Sequence, residues 1–343
     1  MPQTSQRESN FELLRLVAMM LVLLVHANYL SIGNVSQAEL HATPLSGIVR
    51  IVCEQLCIVS VNLFILISGW FGIRPTVKKV ASMLFQVLFI GLVSAEVCRL
   101  IGGDVPSADL GRLLYFGANY WFVPAYLILF CLSPILNAYC EKASRRDFTL
   151  LLVSFFVLEM IFGWLNFDAG HYGRGYSALS FIGLYLLAQY IRRHGQPFMS
   201  KLKSWHCLLS YLLFTAIPAT IAFCGLYFKN KEFGATSYSS LFVVAASVSL
   251  MLLFAKLHFK SRVVNWMASS AFAIYLTHQA PGMFALYANL FKESYNTIPG
   301  VWFIPYALGV TAIIGFVSIL LDKVRLVAWN GVLRLASKVK PQS

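Results

Sequence analysis

The chain has 343 residues, of which 58% are hydrophobic and only 12% are charged, and its mean hydropathy is +0.70. This composition excludes an ordinary soluble domain and predicts an all-α, polytopic bundle of membrane helices. The net charge of +13 does not indicate nucleic-acid binding, because no basic run between the apolar segments is long enough to form a phosphate-binding stripe. The seven cysteines have no metal-ligand spacing, so no metal site is predicted.

Ten apolar segments are long enough to cross a bilayer, for which about 20 residues suffice. They lie at approximately 11–30, 48–71, 80–100, 115–137, 147–166, 175–192, 205–228, 238–256, 265–290 and 300–321. An even number of spans places both termini on one side of the membrane. The positive-inside rule makes that side cytoplasmic, because it then carries 19 Lys and Arg residues against seven on the other side. All loops are short, so residues 1–343 are predicted to form a single integral membrane domain.

The first span, FELLRLVAMMLVLLVHANYL, carries Glu12, Arg15 and His26. Leu16–Val25 also fits the apolar region of a signal peptide, but the equally apolar segments that follow favour an uncleaved span. Arg15 is compatible with an interfacial anchor paired with Glu12. His26 lies eleven positions after Arg15, which is about three helical turns and roughly 16 Å, so both face the same way. We predict them as the catalytic residues, His26 being the base for a hydroxyl; a histidine satisfied by a neighbouring helix is the alternative.

The second span contains one polar residue in its middle, Asn62, which is a candidate substrate contact. After this span Pro75 breaks the chain beside Arg74, Lys78 and Lys79. Three cations at a helix break on the cytoplasmic face could hold phosphate groups. Ordinary positive flanking charge explains the same residues equally well.

Aromatic and imidazole side chains follow at the outer ends of later spans. Tyr120 and Trp121 begin the fourth span, where they suit stacking on a sugar ring or an aromatic belt in the lipid interface. His278 lies near the outer end of the ninth span, at a depth comparable to that of His26. The two imidazoles either converge on one site or are unrelated.

The connection between the fifth and sixth spans reads NFDAGHYGRG and contains Asp168, His171 and Arg174. Such a cluster on the outer face could bind sugar hydroxyls. A solvated loop is the simpler interpretation, and Arg174 is kept as a candidate substrate contact.

Four segments in order carry a resemblance to a known family: FELLRLVAMMLVLLVHA, VNLFILISGWFGIR, YWFVPAYLILFCLSPILN and SSAFAIYLTHQ. The most specific element is the spacing of Arg15 and His26. The chain resembles the acyltransferase-3 family of integral membrane acyltransferases over nearly its whole length. The resemblance implies transfer of an acyl group, usually acetyl from cytoplasmic acetyl-CoA, to a hydroxyl of a surface or lipid-linked glycan at the bacterial cytoplasmic membrane.

The resemblance also implies roles for individual residues. His26 corresponds to the catalytic imidazole and Arg15 to its partner on the donor path. Arg74 matches a basic position after the second span, but Thr76 stands where the family has a second arginine, which leaves Lys78 and Lys79 as candidate substitutes. Direct attack on the thioester and an acyl-histidine intermediate both fit. A transporter or flippase for a lipid-linked sugar or small anion is the alternative from another class.

Overall fold

The computed structural model describes residues 8–115, 120–165, 172–231, 237–298 and 300–339, and the regular secondary structure in these ranges is helical, with no β-strand in any of them. Asp168 and His171 lie outside the described residues. The helices are α1 (Ser9–Val25), α2 (Gln37–Ala42), α3 (Pro44–Cys57), α4 (Ser60–Phe71), α5 (Val77–Leu100), α6 (Ser107–Leu114), α7 (Phe122–Lys142), α8 (Arg145–Glu159), α9 (Ala178–His194), α10 (Gln196–Met199), α11 (Ser204–Lys229), α12 (Leu241–Ala255), α13 (Arg262–Ala268), α14 (Ala271–His278), α15 (Met283–Thr297) and α16 (Phe303–Val339). Two π-helical segments, His26–Ile32 and Met160–Trp164, extend α1 and α8.

Seven helical stretches among the described residues are long and apolar enough to cross a membrane. They are Ser9–Ile32, Pro44–Phe71, Val77–Leu100, Phe122–Lys142, Arg145–Trp164, Ser204–Lys229 and Gly300–Leu335. Each corresponds to one of the ten predicted spans, so the helical, multi-pass character of the chain is confirmed. Two further predicted spans are shorter helices, α9 with 17 residues and α12 with 15 residues. The count of ten and the cytoplasmic termini stay predictions.

The predicted span 265–290 is not one continuous helix, because the structure divides this segment into α13, α14 and α15. Ser269–Ser270 interrupt the first part. Pro281 and Gly282 separate α14 from α15, and Gly282 has a φ of +77°, in the left-handed region. A proline followed by a left-handed glycine cannot continue a helix. The break ends α14 at His278, which places this imidazole at a helix terminus.

Helix α1 lies at the centre of the bundle, where it packs against α3, α4, α12, α13, α14 and α16. Polar contacts fix its first turn: Asn10 Nδ2 donates to the Phe254 carbonyl at 3.0 Å, and the Ser9 hydroxyl accepts from the Ser261 backbone N–H at 2.9 Å. At this end Phe11 also stacks on Trp70 of α4. The opposite end of α1, where His26 lies, is therefore held in a defined position relative to α4 and α14.

Helices α4 and α9 approach each other closely at Gly69. A Cβ atom at this position would lie 2.5 Å from the Tyr185 carbonyl oxygen and 2.9 Å from the Ala188 Cβ. Only glycine allows the two backbones to meet this closely, which is the usual role of small residues between membrane helices.

Replacement of Gly69 by alanine is expected to lower the free energy of unfolding by about 1–3 kcal/mol, because the added methyl forces the two backbones apart. The matched control is Gly309→Ala in α16, where a Cβ would meet no atom within 4 Å. Thermal unfolding of the purified variants in detergent measures both. An equal midpoint for the two variants would contradict the packing argument.

Candidate active site

A cavity of about 690 Å³ lies at the end of the bundle where α1 passes into its π-helical segment. Its volume is in the range of small-molecule sites. The lining combines apolar side chains with a few polar groups, and it includes three of the predicted site residues, His26, Trp121 and Arg174. The polar and aromatic lining consists of His26, Tyr29, Glu54, Phe64, Trp121, Phe122, Trp164, Arg174, Tyr176, Ser237, Tyr238 and Tyr275.

His26 stands at the junction between α-helical and π-helical backbone. Its N–H bonds to both the Val22 and the Leu23 carbonyls, a bifurcated hydrogen bond of the kind common at helix ends. Its side chain is partly buried and reaches α14, where its Nδ1 lies 2.7 Å from the Nε2 of His278. The two predicted imidazoles therefore converge on one site, although 252 residues separate them in the chain.

The hydrogen bonds of the pair assign the tautomer of His26. The Nδ1 of His278 lies 2.8 Å from the Ile274 carbonyl, which can only accept, so this nitrogen carries the proton. In a neutral ring the Nε2 of His278 is then an acceptor, and the Nδ1–H of His26 donates to it. The lone pair of His26 is left on Nε2, which makes no hydrogen bond within the described residues. This nitrogen is available to a molecule in the cavity.

Gln279 adds a second contact to His26, with its side-chain amide nitrogen 2.9 Å from Nδ1. In this arrangement the side-chain N–H of Gln279 and the Nδ1–H of His26, both of them donors, would face each other. Amide oxygen and nitrogen are assigned from the surrounding network, and rotation of the amide by 180° gives an oxygen that accepts from the Nδ1–H. With that assignment both neighbours on α14 favour the same tautomer.

Aromatic rings form one wall of the cavity. The Trp121 ring centroid lies 4.5 Å from that of Tyr176, and the Tyr176 centroid lies 4.8 Å from that of Tyr238. Half of the Tyr176 surface is exposed, whereas Tyr238 is buried. Arg174, beside this wall, has a left-handed backbone, and its carbonyl accepts from the Ser237 hydroxyl at 3.0 Å. Such a surface can stack on the apolar face of a sugar ring.

A polar layer lies one helical turn beyond the cavity, on the side of the N-terminal end of α1. Three helices each carry a cavity-lining residue and, four positions away, a polar one: Met19 and Arg15 on α1, Phe64 and Ser68 on α4, and Phe122 and Tyr126 on α7. The Ser68 and Tyr126 hydroxyls are 3.2 Å apart. Arg15 pairs with Glu12 at 2.6 Å and keeps 31% of its side chain exposed. The predicted stripe from Arg15 to His26 thus continues through the cavity wall.

Other predicted residues lie outside the cavity lining. Asn62 is 1% exposed and donates to the Tyr238 carbonyl at 3.0 Å. Tyr120 is 2% exposed and donates to the Leu276 carbonyl at 3.0 Å. Both side chains hold helices together around the cavity. Their direct contact with a substrate stays a prediction that this geometry does not favour.

The predicted phosphate-binding cations follow the end of α4. Arg74, Lys78 and Lys79 are exposed, and the Lys79 ammonium donates to the Arg74 carbonyl at 2.7 Å. The Thr76 hydroxyl accepts from the Lys79 N–H and caps α5. The three cations are therefore clustered at the surface, at the end of the bundle opposite the cavity.

The sequence patterns did not identify two buried ionisable residues of α3, Arg50 and Glu54, as part of the site. Arg50, which the charge count assigns to the outer side of the membrane, is 3% exposed, and its Nη1 donates to both carboxylate oxygens of Glu39 at 2.9 and 2.8 Å. Its Nε donates to Asn28 Oδ1 at 2.9 Å, and the Asn28 amide donates to Glu54 Oε2 at 3.1 Å. The signal was present, since Arg50 and Glu54 stand four residues apart at the start of an apolar span.

These observations define a multi-pass helical membrane protein with a histidine-based site at one end of the bundle. The family model described as an acyltransferase domain, that of the acyltransferase-3 family, matches residues 8–321. The chain therefore belongs to the acyltransferase-3 family, which indicates an acyltransferase. No curated protein and no solved structure matches the chain significantly.

Replacement of Arg50 by methionine is expected to lower the free energy of unfolding by about 3–5 kcal/mol, because Glu39 loses its buried counter-charge. The control is Arg99→Met, which removes the Arg99–Glu96 pair. That pair keeps 43% and 63% of its side-chain surfaces exposed, so its loss is expected to cost only about 0–1 kcal/mol. Denaturation in mixed micelles compares the two, and a similar loss in both would refute the buried-network interpretation.

Proposed function

We propose that the protein is a membrane-bound O-acyltransferase. It transfers an acyl group, acetyl being the first candidate, from cytoplasmic acyl-CoA to a hydroxyl of a surface or lipid-linked glycan in a bacterial envelope. One observation carries the proposal: His26 lies on the wall of a cavity and pairs through Nδ1 with His278, an arrangement that assigns the free lone pair to Nε2. Family membership supplies the acyl-transfer chemistry.

In the proposed reaction His26 acts as a general base. Its Nε2 takes the proton of the acceptor hydroxyl while the hydroxyl oxygen attacks the thioester carbonyl carbon. The C–S bond then breaks, and the departing thiolate receives the proton from the imidazolium, so that ester and free thiol leave and His26 returns to its starting state. The His26–His278 contact keeps Nε2 in the basic form between turnovers. If transfer proceeds through an acyl-histidine instead, the same nitrogen carries the acyl group.

The donor approaches from the other side of the polar layer. Both termini and the cations after α4 are proposed to be cytoplasmic, in a ten-span arrangement consistent with the distribution of Lys and Arg. Arg74, Lys78 and Lys79 would bind the phosphates of coenzyme A, which is a polyanion with a long thin arm. Arg15, Ser68 and Tyr126 lie between these cations and the cavity, so the arm would carry the thioester past them toward His26.

The acceptor occupies the cavity from its open side. Trp121 and Tyr176 offer ring faces to a sugar, and Arg174 lies at the same wall. His278 acts through His26 and is a positioning residue. A transporter or flippase would use the same cavity without consuming a thioester, which separates the two hypotheses experimentally.

His26→Ala is expected to lower kcat by roughly 10²–10⁴-fold, the usual contribution of a general base. The measurement is release of free thiol from acetyl-CoA by the purified protein, together with mass spectrometry of surface and lipid-linked glycans from cells with each variant. The control is His258→Ala, an exposed histidine outside the cavity. Full activity of His26→Ala would refute the proposed mechanism, and no thiol release by the wild-type protein would favour the transporter.

His278→Phe removes the acceptor for the His26 Nδ1–H while keeping a ring at this position. We expect kcat to fall, by less than in His26→Ala, with the KM for acetyl-CoA unchanged, because the base loses its preferred tautomer and not its donor site. Steady-state kinetics with acetyl-CoA as the varied substrate tests this expectation. An unchanged kcat would show that the imidazole pair is merely structural.

A further inference from the structure

Glu54 is an ionisable residue on the cavity wall that the mechanism does not use. It lies in α3 and is 8% exposed, so it is buried in protein except where it faces the cavity. Its Oε2 accepts from Asn28 Nδ2 at 3.1 Å. No hydrogen bond to Oε1 is formed by any described residue, which leaves this oxygen to the cavity.

The nearby cation does not neutralise Glu54. Arg50 gives its Nη1 to both oxygens of Glu39, its Nε to the Asn28 side chain and its Nη2 to the Asn28 and Gly33 carbonyls. Tyr295 also donates to Glu39, at 2.6 Å. Glu54 therefore forms no ion pair within the described residues and receives a single amide hydrogen bond.

A carboxyl group in this position is costly for the fold. Buried polar groups destabilise a protein unless hydrogen bonds satisfy them, and ionisable residues within membrane spans are retained mainly for function. Replacing Glu54 by an apolar residue would leave the Asn28 amide with its second acceptor, the Arg50 carbonyl at 3.1 Å. The network around Arg50 thus does not require Glu54, whereas a ligand with hydroxyl donors would use its free oxygen.

The same network connects Glu54 to the catalytic base. Asn28 contacts Glu54 and lies two residues after His26 in the π-helical segment. Arg50 fixes this segment by its bonds to the Asn28 and Gly33 carbonyls. A hydroxyl bound to Glu54 is therefore positioned relative to His26 by one rigid group of contacts, with the rings of Trp121 and Tyr176 on the same cavity.

We infer that Glu54 is an acceptor-binding residue that accepts a hydrogen bond from a second hydroxyl of the molecule being acylated. This inference rests on the proposed function and names its substrate class: a carbohydrate-like ring with at least two free hydroxyls, one held by Glu54 while another meets His26. A simple monohydroxyl alcohol would leave the Glu54 oxygen unsatisfied and would bind weakly.

The experiment compares two variants and two probes of similar ring size. Glu54→Gln retains an oxygen acceptor, whereas Glu54→Met removes it at nearly constant length. The probes are methyl glucoside, which carries several hydroxyls, and cyclohexanol, which carries one. Binding is followed by isothermal titration calorimetry of the detergent-purified protein. The matched control is Glu159→Gln, a carboxyl that is 1% exposed and outside the cavity lining.

The wild-type protein is expected to bind methyl glucoside at least tenfold more tightly than cyclohexanol. Glu54→Met should weaken methyl glucoside binding by roughly 10- to 100-fold, because a buried hydroxyl of the glucoside is left without its partner, and leave cyclohexanol binding unchanged. The methyl glucoside affinity of Glu54→Gln should lie between those of the wild type and Glu54→Met, and that of Glu159→Gln should match the wild type. The inference is overturned if both probes weaken equally in Glu54→Met, if neither weakens, or if the wild-type protein does not bind methyl glucoside.

The outcome is separate from that of the acyl-transfer proposal. Thiol release from acetyl-CoA and acetylation of glycans in cells test the proposed function without methyl glucoside. Glucoside binding that depends on Glu54 without any thiol release would support the polyol site and contradict the transferase. Thiol release that depends on His26, together with glucoside binding that the Glu54 variants do not change, would support the transferase and contradict the polyol site.

Discussion

A buried guanidinium group organises the end of the bundle on which the cavity depends. Arg50 is desolvated within an apolar environment, which is tolerable only because Glu39, Asn28 and the Gly33 carbonyl satisfy its donors. These partners come from α2 and from the π-helical segment after α1, so the pairing joins three parts of the chain. The Tyr295 ring lies under the guanidinium at 4.9 Å and adds α15. The walls around His26 and Glu54 are positioned by this one charge.

The sequence predicts the helices more completely than it predicts the contacts within the site. Long apolar runs fix the existence of a span, because about 20 residues must be buried in lipid. Breaks within a span depend on local backbone: Pro281 and Gly282 marked the end of α14, but the interruption at Ser269–Ser270 carries no comparable signal. The pairing of His26 with His278 was one of two open possibilities, since helical spacing gives the face of a residue and not the neighbour it meets.

The count of Lys and Arg residues on the two sides of the membrane does not distinguish buried charged residues from ordinary flanking charges. Arg50 and Glu54 lie near the beginning of the second span, where a cation is ordinarily interpreted as interfacial flanking charge. Only tertiary structure shows that α2 and the segment after α1 cover this end of α3. Asn62 and Tyr120 illustrate the converse, because their polar groups satisfy backbone carbonyls of neighbouring segments. A polar residue in a span therefore has two possible explanations, helix cohesion and ligand contact, and only the cavity lining separates them.

The length of the π-helical segment His26–Ile32 is as constrained as its composition. A π turn contains one residue more than an α turn, and in this segment the extra residue sets the directions of both the His26 ring and the Asn28 amide. Deleting a single residue would remove the widened turn and shift the residues of this segment by one position relative to their partners. Asn28 would then lose Glu54, and Arg50 would lose the Gly33 carbonyl. Substitutions are thus more easily accommodated in this segment than any insertion or deletion.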